Sequence, residues 1–177
     1  MLWTKANFSP SYRTDRFIWL SGVIILNYET LLMESDSHGL IVKEKPLKYN
    51  DGRIKGNRIA IRKDINTQTE KGCVLAEELG HYYTSVGNIL DQSKAENRKQ
   101  EQHARAWAYN KMIGLMGLVK SYEHGCYSMY ETAEFLNVTE EFLEEALTYY
   151  KNKYGVCTNI DNYIIYFEPS LGVGKLI

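Results

Sequence analysis

Apolar residues recur at helical spacing near the start of the chain, between Asp15 and about Ser35. This spacing predicts a helix packed on the core. His38-Gly39 is expected to end it, because glycine readily adopts the left-handed conformation that closes helices. Residues 1–15 show no comparable pattern and are expected to form a disordered segment.

Short β-branched runs come next. They extend over Leu40 to Glu44 and Gly52 to Arg62 and are separated by the turn-forming strings N-D-G and K-G-N. Short β-branched runs separated by turn-forming residues are typical of a small antiparallel sheet. Ile59 and Ile61 alternate with more polar neighbours, so one face of this sheet is expected to be buried.

Three later helices begin with a capping box, in which a Ser or Thr side chain accepts a hydrogen bond from the third backbone N–H and a Glu side chain accepts one from the first. These starts are Thr67-Gln-Thr-Glu70, Ser93-Lys-Ala-Glu96 and Ser128-Met-Tyr-Glu131. The predicted helices run from about Thr67 to Val86, Ser93 to Ile113, Leu115 to His124, Ser128 to Leu136 and Thr139 to Tyr154.

The last of these helices has its own boundary signals. Thr139 is placed to cap it, Val138 to pack as part of a hydrophobic staple, and Gly155 to end it. Two β-rich runs, Val156 to Ile160 and Tyr163 to Phe167, predict a closing β-hairpin. The whole pattern predicts an α+β fold that is mainly a helical bundle with a small antiparallel sheet.

Composition and charge narrow the class of protein. A chain of 177 residues with 44% hydrophobic content suits one compact domain with an appendage. With 21 basic and 22 acidic residues, the chain has no overall electrostatic field that would attract nucleic acid or hold the protein at an anionic membrane. The apolar run Phe17 to Leu26 is too short to cross a bilayer. Three scattered cysteines, Cys73, Cys126 and Cys157, make a poor disulfide framework and favour a cytoplasmic location.

The most informative stretch is V-L-A-E-E-L-G-H-Y-Y, which starts at Val74. Glu77 and His81 are about one helical turn apart, so their side chains can converge on one ion. Glu78 is rotated by about 100° around the helix and would lie beside that ion as a general base. This is the geometry of the zinc-hydrolase motif H-E-x-x-H, here written E-E-x-x-H. The alternative is two solvated glutamates and an ordinary histidine.

A third ligand is expected from the next helix, in the string E-Q-H-A-R-A-W-A that starts at Glu101. Its small Ala104 permits a close approach of the two helices. Glu101 and His103 are the candidates in this string; the two point to nearly opposite sides of the helix, so only one can face the site. His124 and Cys73 are further possible donors, although a lone buried cysteine is usually a small hydrophobic residue.

Together these motifs resemble those of the ImmA/IrrE-like metallopeptidases of phages and mobile elements. Leu75 to Gln92 is similar to the string L-A-E-E-L-G-H-Y-Y-T-S-x-G-N-I-L-D-Q of a prophage branch. The family's third ligand is the Glu of an E-x-x-A-x-x-(F/W)-A pattern, which falls on Glu101. The resemblance covers roughly Leu40 to Leu171. The chain departs from it at Glu77, where most members have His.

The resemblance implies a gluzincin-like zinc peptidase with Glu77, His81 and Glu101 as metal ligands and Glu78 as the catalytic base. Residues 16–125 would form the peptidase domain, and residues 126–177 a helix-turn-helix-like unit and hairpin on the same core. The implied substrate is a phage-type repressor or another regulatory protein. Because two carboxylates would neutralise the ion, we expect slow hydrolysis, and Mn or Fe becomes possible beside Zn. The alternative function is a metal-binding but inactive regulator that acts by protein contacts.

The segment around Tyr130 to Leu143 superficially suggests a helix-turn-helix DNA reader. Its second helix, however, begins with four carboxylates at the end that would enter the major groove, where affinity comes from Lys and Arg. We therefore expect no direct DNA binding and interpret the unit as a packing or substrate-recognition element. The four residues are Glu140, Glu141, Glu144 and Glu145.

Overall fold

A computed structural model of the chain describes residues 19–20, 23–84 and 94–176, with side chains for 25–84 and 98–176. The segment 1–15, residues 87–92 between two of the predicted helices, and Ser93 of the second predicted capping box lie outside the described residues. The elements are β1 (Trp19–Leu20), β2 (Val23–Ile24), α1 (Tyr28–Ser37), β3 (Ile41–Lys45), β4 (Gly52–Lys55), β5 (Arg58–Arg62), α2 (Gln68–Thr84), α3 (Lys94–Met112), α4 (Gly114–His124), α5 (Met129–Leu136), α6 (Glu140–Tyr154), β6 (Cys157–Ile160), β7 (Tyr163–Tyr166) and β8 (Gly172–Lys175).

The predicted helix from Asp15 to Ser35 is wrong at the described residues that precede Asn27. β1 and β2 pair antiparallel there, and α1 starts only after Asn27. The Asn27 side chain accepts a hydrogen bond from the N–H of Thr30, and the Thr30 hydroxyl accepts one from the N–H of Asn27, both at 2.9 Å. This capping box starts a new helix at a point where the spacing of apolar residues had predicted one continuous helix.

The first sheet has the strand order β3-β5-β4. β4 and β5 form the expected antiparallel hairpin, whereas β3 joins β5 in parallel. The six residues between β3 and β4 carry the chain across, so that β5 fills the centre of the sheet. Ile59 and Ile61 of β5 are buried, as their alternation predicts. The α+β class is confirmed, with one parallel pairing that local pattern did not reveal.

Helix boundaries follow the predicted caps. The Thr67 hydroxyl accepts a hydrogen bond from the N–H of Glu70 at 3.1 Å, and Ser128 forms a complete capping box at the start of α5. Thr139 caps α6, and the helix ends at Gly155 with a φ of 81°. Side chain-to-backbone bonds of this kind satisfy the N–H groups that a helix start leaves unpaired.

The closing hairpin is one strand larger than predicted. β8 adds to β7, giving an antiparallel sheet in the order β6-β7-β8. Two glycines in the short β8 weaken its sequence signal, because glycine is depleted in strands. Ile165 of this sheet and Ile61 of the first sheet belong to one hydrophobic core. Among the described residues, no helix is both long and apolar enough to cross a bilayer.

α2 and α3 come into backbone contact at Gly80. A Cβ atom at this position would lie 2.2 Å from the carbonyl oxygen of Ala104. Ala104 and Ala108 are fully buried, as small residues at a close helix contact should be. The separation of these two helices is therefore set by a glycine facing a backbone carbonyl, one residue before His81.

We expect Gly80→Ala to lower the free energy of unfolding by about 1–3 kcal/mol, although alanine is the better helix former. The added methyl would meet rigid backbone, so the helices must move apart. Gly72→Ala is the matched control in the same helix, because its Cβ would lie 3.5 Å from the backbone nitrogen of Tyr28, at ordinary contact distance. Urea unfolding of both variants measures the difference; equal effects would contradict this account of the contact.

Candidate active site

An acidic cleft of about 410 Å³ is lined by residues of α2, α3, the start of α6 and the segment that enters β4. Among the lining residues, Arg105 carries the one permanent positive charge. The sequence-predicted residues Glu77, Glu78, His81 and Glu101 all line this cleft. Its seven acidic residues are Asp51, Glu70, Glu77, Glu78, Glu101, Glu141 and Glu145.

His81 and Glu101 meet across the α2–α3 contact. The Nε2 atom of His81 lies 3.3 Å from the Oε2 atom of Glu101, while Oε1 of Glu101 accepts a hydrogen bond from Nε of Arg105 at 2.8 Å. Two ligands of a tetrahedral zinc ion, each at about 2.0–2.1 Å from it, lie about 3.3 Å apart. This pair therefore has the spacing of two ligands, although the same distance also suits a direct His–Glu contact.

The Glu77 carboxyl is partly buried on the wall of the cleft. Burial is the main reason that its pKa rises to about 7, and the negative charges of Glu145, Glu101 and Asp51 add to this, against the opposing effect of Arg105. A carboxyl in such surroundings holds a proton near neutral pH unless a cation replaces it. Glu77 is therefore a partly buried acid whose negative charge is only partly balanced by Arg105.

Glu78 lies against β4. A Cβ atom at position 52 would come within 2.5 Å of its Oε1 atom, so only glycine leaves room for this carboxylate. Burial raises the pKa of Glu78 to about 7, and the negative charges of Glu77 and Glu101 add to this, against the lowering effect of the hydrogen bond that the backbone N–H of Ile54 donates to its carboxylate. A general base works best with a pKa near the operating pH. The position of Glu78 suits that role.

A family model described as the IrrE N-terminal-like domain, Peptidase_M78, matches residues 35–148. That span is well over half of the chain and contains every residue that lines the acidic cleft. The chain belongs to this family. The resemblance inferred from the motifs is confirmed, and the protein is metallopeptidase-like. No match was found among curated proteins or among solved structures.

For this member of the IrrE-like family, the donor set fits a divalent ion in chemistry and in part of its geometry. Two carboxylates and one imidazole are suitable ligands, and the His81–Glu101 spacing is that of two ligands on one ion. Within the described residues, however, no three His, Cys, Asp or Glu side chains form a group arranged to hold a metal. Glu77 shares the cleft with the other two without completing that group.

Sequence reasoning missed the network behind Glu101 in this IrrE-like cleft. Arg105 also donates from Nη1 to Oε2 of Glu145 at 3.2 Å, and the hydroxyl of Tyr109 donates to the same oxygen at 2.7 Å. The sequence places Glu145 among the four carboxylates near the start of α6 that oppose DNA binding. The four-residue spacing from Glu101 to Arg105 is a sequence signal for the ion pair between these two residues. No sequence signal indicated the bonds from Arg105 and Tyr109 to Glu145 on α6.

The rival donors of the IrrE-like chain are placed differently. His103 is exposed on α3 and does not line the acidic cleft. His124 lies on α4, where its ring stacks on Phe135 with centroids 4.7 Å apart. Cys73 does line the cleft, and burial raises the pKa of its thiol to about 11, so the thiol stays protonated at neutral pH unless a metal displaces the proton. The choice of Glu101 over His103 as the third metal ligand stays a prediction. It is favoured because Glu101 lines the acidic cleft and His103 does not.

Without metal, the two acidic cleft residues should make stability depend on pH. Because the pKa values of Glu77 and Glu78 rise to about 7 from the usual 4.5, the folded protein binds more protons than the unfolded chain between these values. Their contribution is fully present below about pH 4.5 and is lost as pH rises through 7, on the order of a few kcal/mol in total. We expect the Tm of chelator-treated protein to fall over that range.

The control for this pH effect is the double variant Glu77→Gln/Glu78→Gln, which cannot titrate at these positions. Thermal unfolding with a chelator present should show a smaller fall in its Tm between pH 5 and 8 than in the wild-type Tm. Identical slopes for the two proteins would mean that neither carboxyl has the raised pKa.

Proposed function

We propose that this protein is a metal-dependent endopeptidase of a phage or mobile element, acting in the cytoplasm on a repressor or another regulatory protein. The observation that supports it best is the convergence of Glu77, Glu78, His81 and Glu101 on one acidic cleft inside the IrrE-like match. The gluzincin-like arrangement, with a base one residue after the first ligand, belongs to the same proposal.

Glu77, His81 and Glu101 would hold the ion, with Zn first and Mn or Fe possible because the set is rich in oxygen. Ligation by Glu77 requires its carboxylate to move toward the His81–Glu101 pair. Bound there, the ion would polarise the scissile carbonyl and acidify water. Arg105 fixes Glu101 by binding one of its oxygens, which leaves the other directed at His81.

Glu78 supplies the acid–base chemistry in this proposal. Its carboxylate takes the proton from the attacking water and passes it to the nitrogen of the leaving amine, so that one residue serves both steps. The Ile54 N–H binds the carboxylate, and the missing side chain at Gly52 leaves room for it. Without the ion, burial raises the pKa of Glu78 to about 7, and the charge of a bound ion would lower that pKa.

A specific observation favours the second candidate, a metal-binding but inactive regulator acting by protein contacts. Position 77 carries Glu rather than His, so two carboxylates instead of one would neutralise the ion. This reduces the positive charge available to activate water. Such a protein would bind its regulatory partner and leave it uncut.

Co-expression with the repressor encoded nearest to it tests the function, followed by incubation of the purified pair with zinc or with a chelator. We expect a single cut product with zinc and none with chelator, seen by gel and mass spectrometry. An intact repressor that co-purifies with the metal-bound protein would favour the inactive regulator. Neither cleavage nor association would reject both.

A further inference from the structure

The outer face of the first sheet is strongly basic. β3, β4 and β5 direct five exposed cationic side chains to this face, while Ile59 and Ile61 of β5 direct theirs into the core. Among the described residues, none of the five has a carboxylate partner within ion-pair distance. They are Lys43, Lys45, Arg53, Lys55 and Arg58, and we call this surface the basic face.

The strand register arranges these charges along a shallow groove. Lys43 and Arg53 lie on either side of Ala60, whose small side chain forms the floor, and Lys55 pairs with Arg58. Residues i and i+2 of a strand are about 6.6–6.8 Å apart and point to the same side. An extended polypeptide has the same repeat, so acidic side chains at alternate positions would meet cations on both walls of the groove.

Protection of sheet edges explains only part of this pattern. β3 and β4 are the edge strands, and charged residues there discourage pairing with other chains. Lysine is the charge most often used for that purpose, so edge protection accounts for Lys43, Lys45 and Lys55. Arg58, however, lies on the central strand, where no edge needs protection. This arginine, and the lack of any carboxylate among the groove-lining residues, call for another explanation.

We propose that the basic face binds an extended acidic segment of a partner protein. The identity of that partner as the regulatory protein rests on the proposed function; the binding itself does not require cleavage. β4 links the two surfaces, since Gly52 lines the acidic cleft and Arg53 and Lys55 lie on the basic face. From Gly52 to Lys55 the strand spans only about 10 Å, so one bound protein can reach both.

A polypeptide fits this face better than a nucleic acid does. The groove-lining residues include no aromatic side chain on which bases could stack. The chain has 21 basic and 22 acidic residues, so the sequence outside these five cations has an excess of six acidic residues. That excess would repel a long polyanion but leave a short acidic segment at the groove unaffected.

Fluorescence anisotropy with a labelled peptide of alternating Glu and Ser tests the proposal. We expect binding that weakens as salt increases and that is at least about tenfold weaker for Lys43→Glu/Arg53→Glu. The control Lys153→Glu/Lys175→Glu makes the same change in net charge at exposed positions outside the basic face, and its affinity should change less than about twofold. Circular dichroism checks that both variants are folded.

Three results would overturn the proposal: no binding of the Glu-Ser peptide, equal losses in the two double variants, or tighter binding of duplex DNA that depends on Lys43 and Arg53. The last would make the basic face a nucleic-acid surface. Repressor cleavage is scored separately. Peptide binding without cleavage counts against the proposed function alone, and cleavage without peptide binding counts against this inference alone.

Discussion

Replacing Glu78 by Gln should lower peptide cleavage by roughly 10²–10⁴-fold while the fold and the metal content stay unchanged. Glutamine has nearly the same size and can still accept the hydrogen bond from the Ile54 N–H. It cannot take a proton from water, so only the acid–base step is lost. The rate of repressor cleavage at saturating metal measures the effect.

Glu141→Gln is the matched control for this loss. Glu141 also lines the acidic cleft but is exposed at the start of α6, and its change removes one negative charge without touching the proposed base. Its rate should remain within a few fold of wild type. If Glu78→Gln cuts the repressor as fast as wild type does, Glu78 is not the base.

Glu77→His extends the same experiment to the unusual first residue of the motif. With one carboxylate fewer, the ion would keep more of its charge and activate water more strongly, so cleavage should become faster. An unchanged or lower rate with metal still bound would mean that the surroundings of position 77, including Arg105 and Asp51, are built for a carboxylate.

His81→Ala should give protein that no longer retains about one transition-metal ion per chain, and it should remove the stabilisation that added metal provides. The reason is structural: an ion held by His81 and Glu101 cross-links α2 and α3, and anything that binds the folded state alone stabilises it. At a free metal concentration 100 times the Kd, that stabilisation is about 2.7 kcal/mol. Elemental analysis and the shift in Tm on adding zinc measure both effects.

Two residues of α3 provide the controls for the metal experiment. Glu101→Gln should lose metal as His81→Ala does, whereas His103→Gln, at an exposed position outside the cleft, should keep it. Metal retained in both His81→Ala and Glu101→Ala would reject the ligand set. Loss on changing His103 but not Glu101 would transfer the role to His103.

Local sequence signals were sufficient wherever the decisive interaction is short in range. Ser128 and Thr139 cap their helices because the side chain and the backbone N–H that it binds are three residues apart. The E-E-x-x-H spacing likewise fixed which residues of α2 share the cleft, since one helical turn determines it. Family membership followed from the same strings, because they combine several such local constraints.

The tertiary structure decided everything that depends on contact between distant segments. Three examples join residues between 17 and 40 positions apart: β3 pairs in parallel with β5, the Glu78 carboxylate lies next to Gly52, and Arg105 binds Glu145. No local repeat in the sequence indicates such distant partners. The raised pKa of Glu77 has the same origin, because burial and charges from three other elements or loops determine it. The sequence by itself determined which side chains are candidates for the chemistry; only their packing across α2, α3, α6 and β4 determined how those side chains meet.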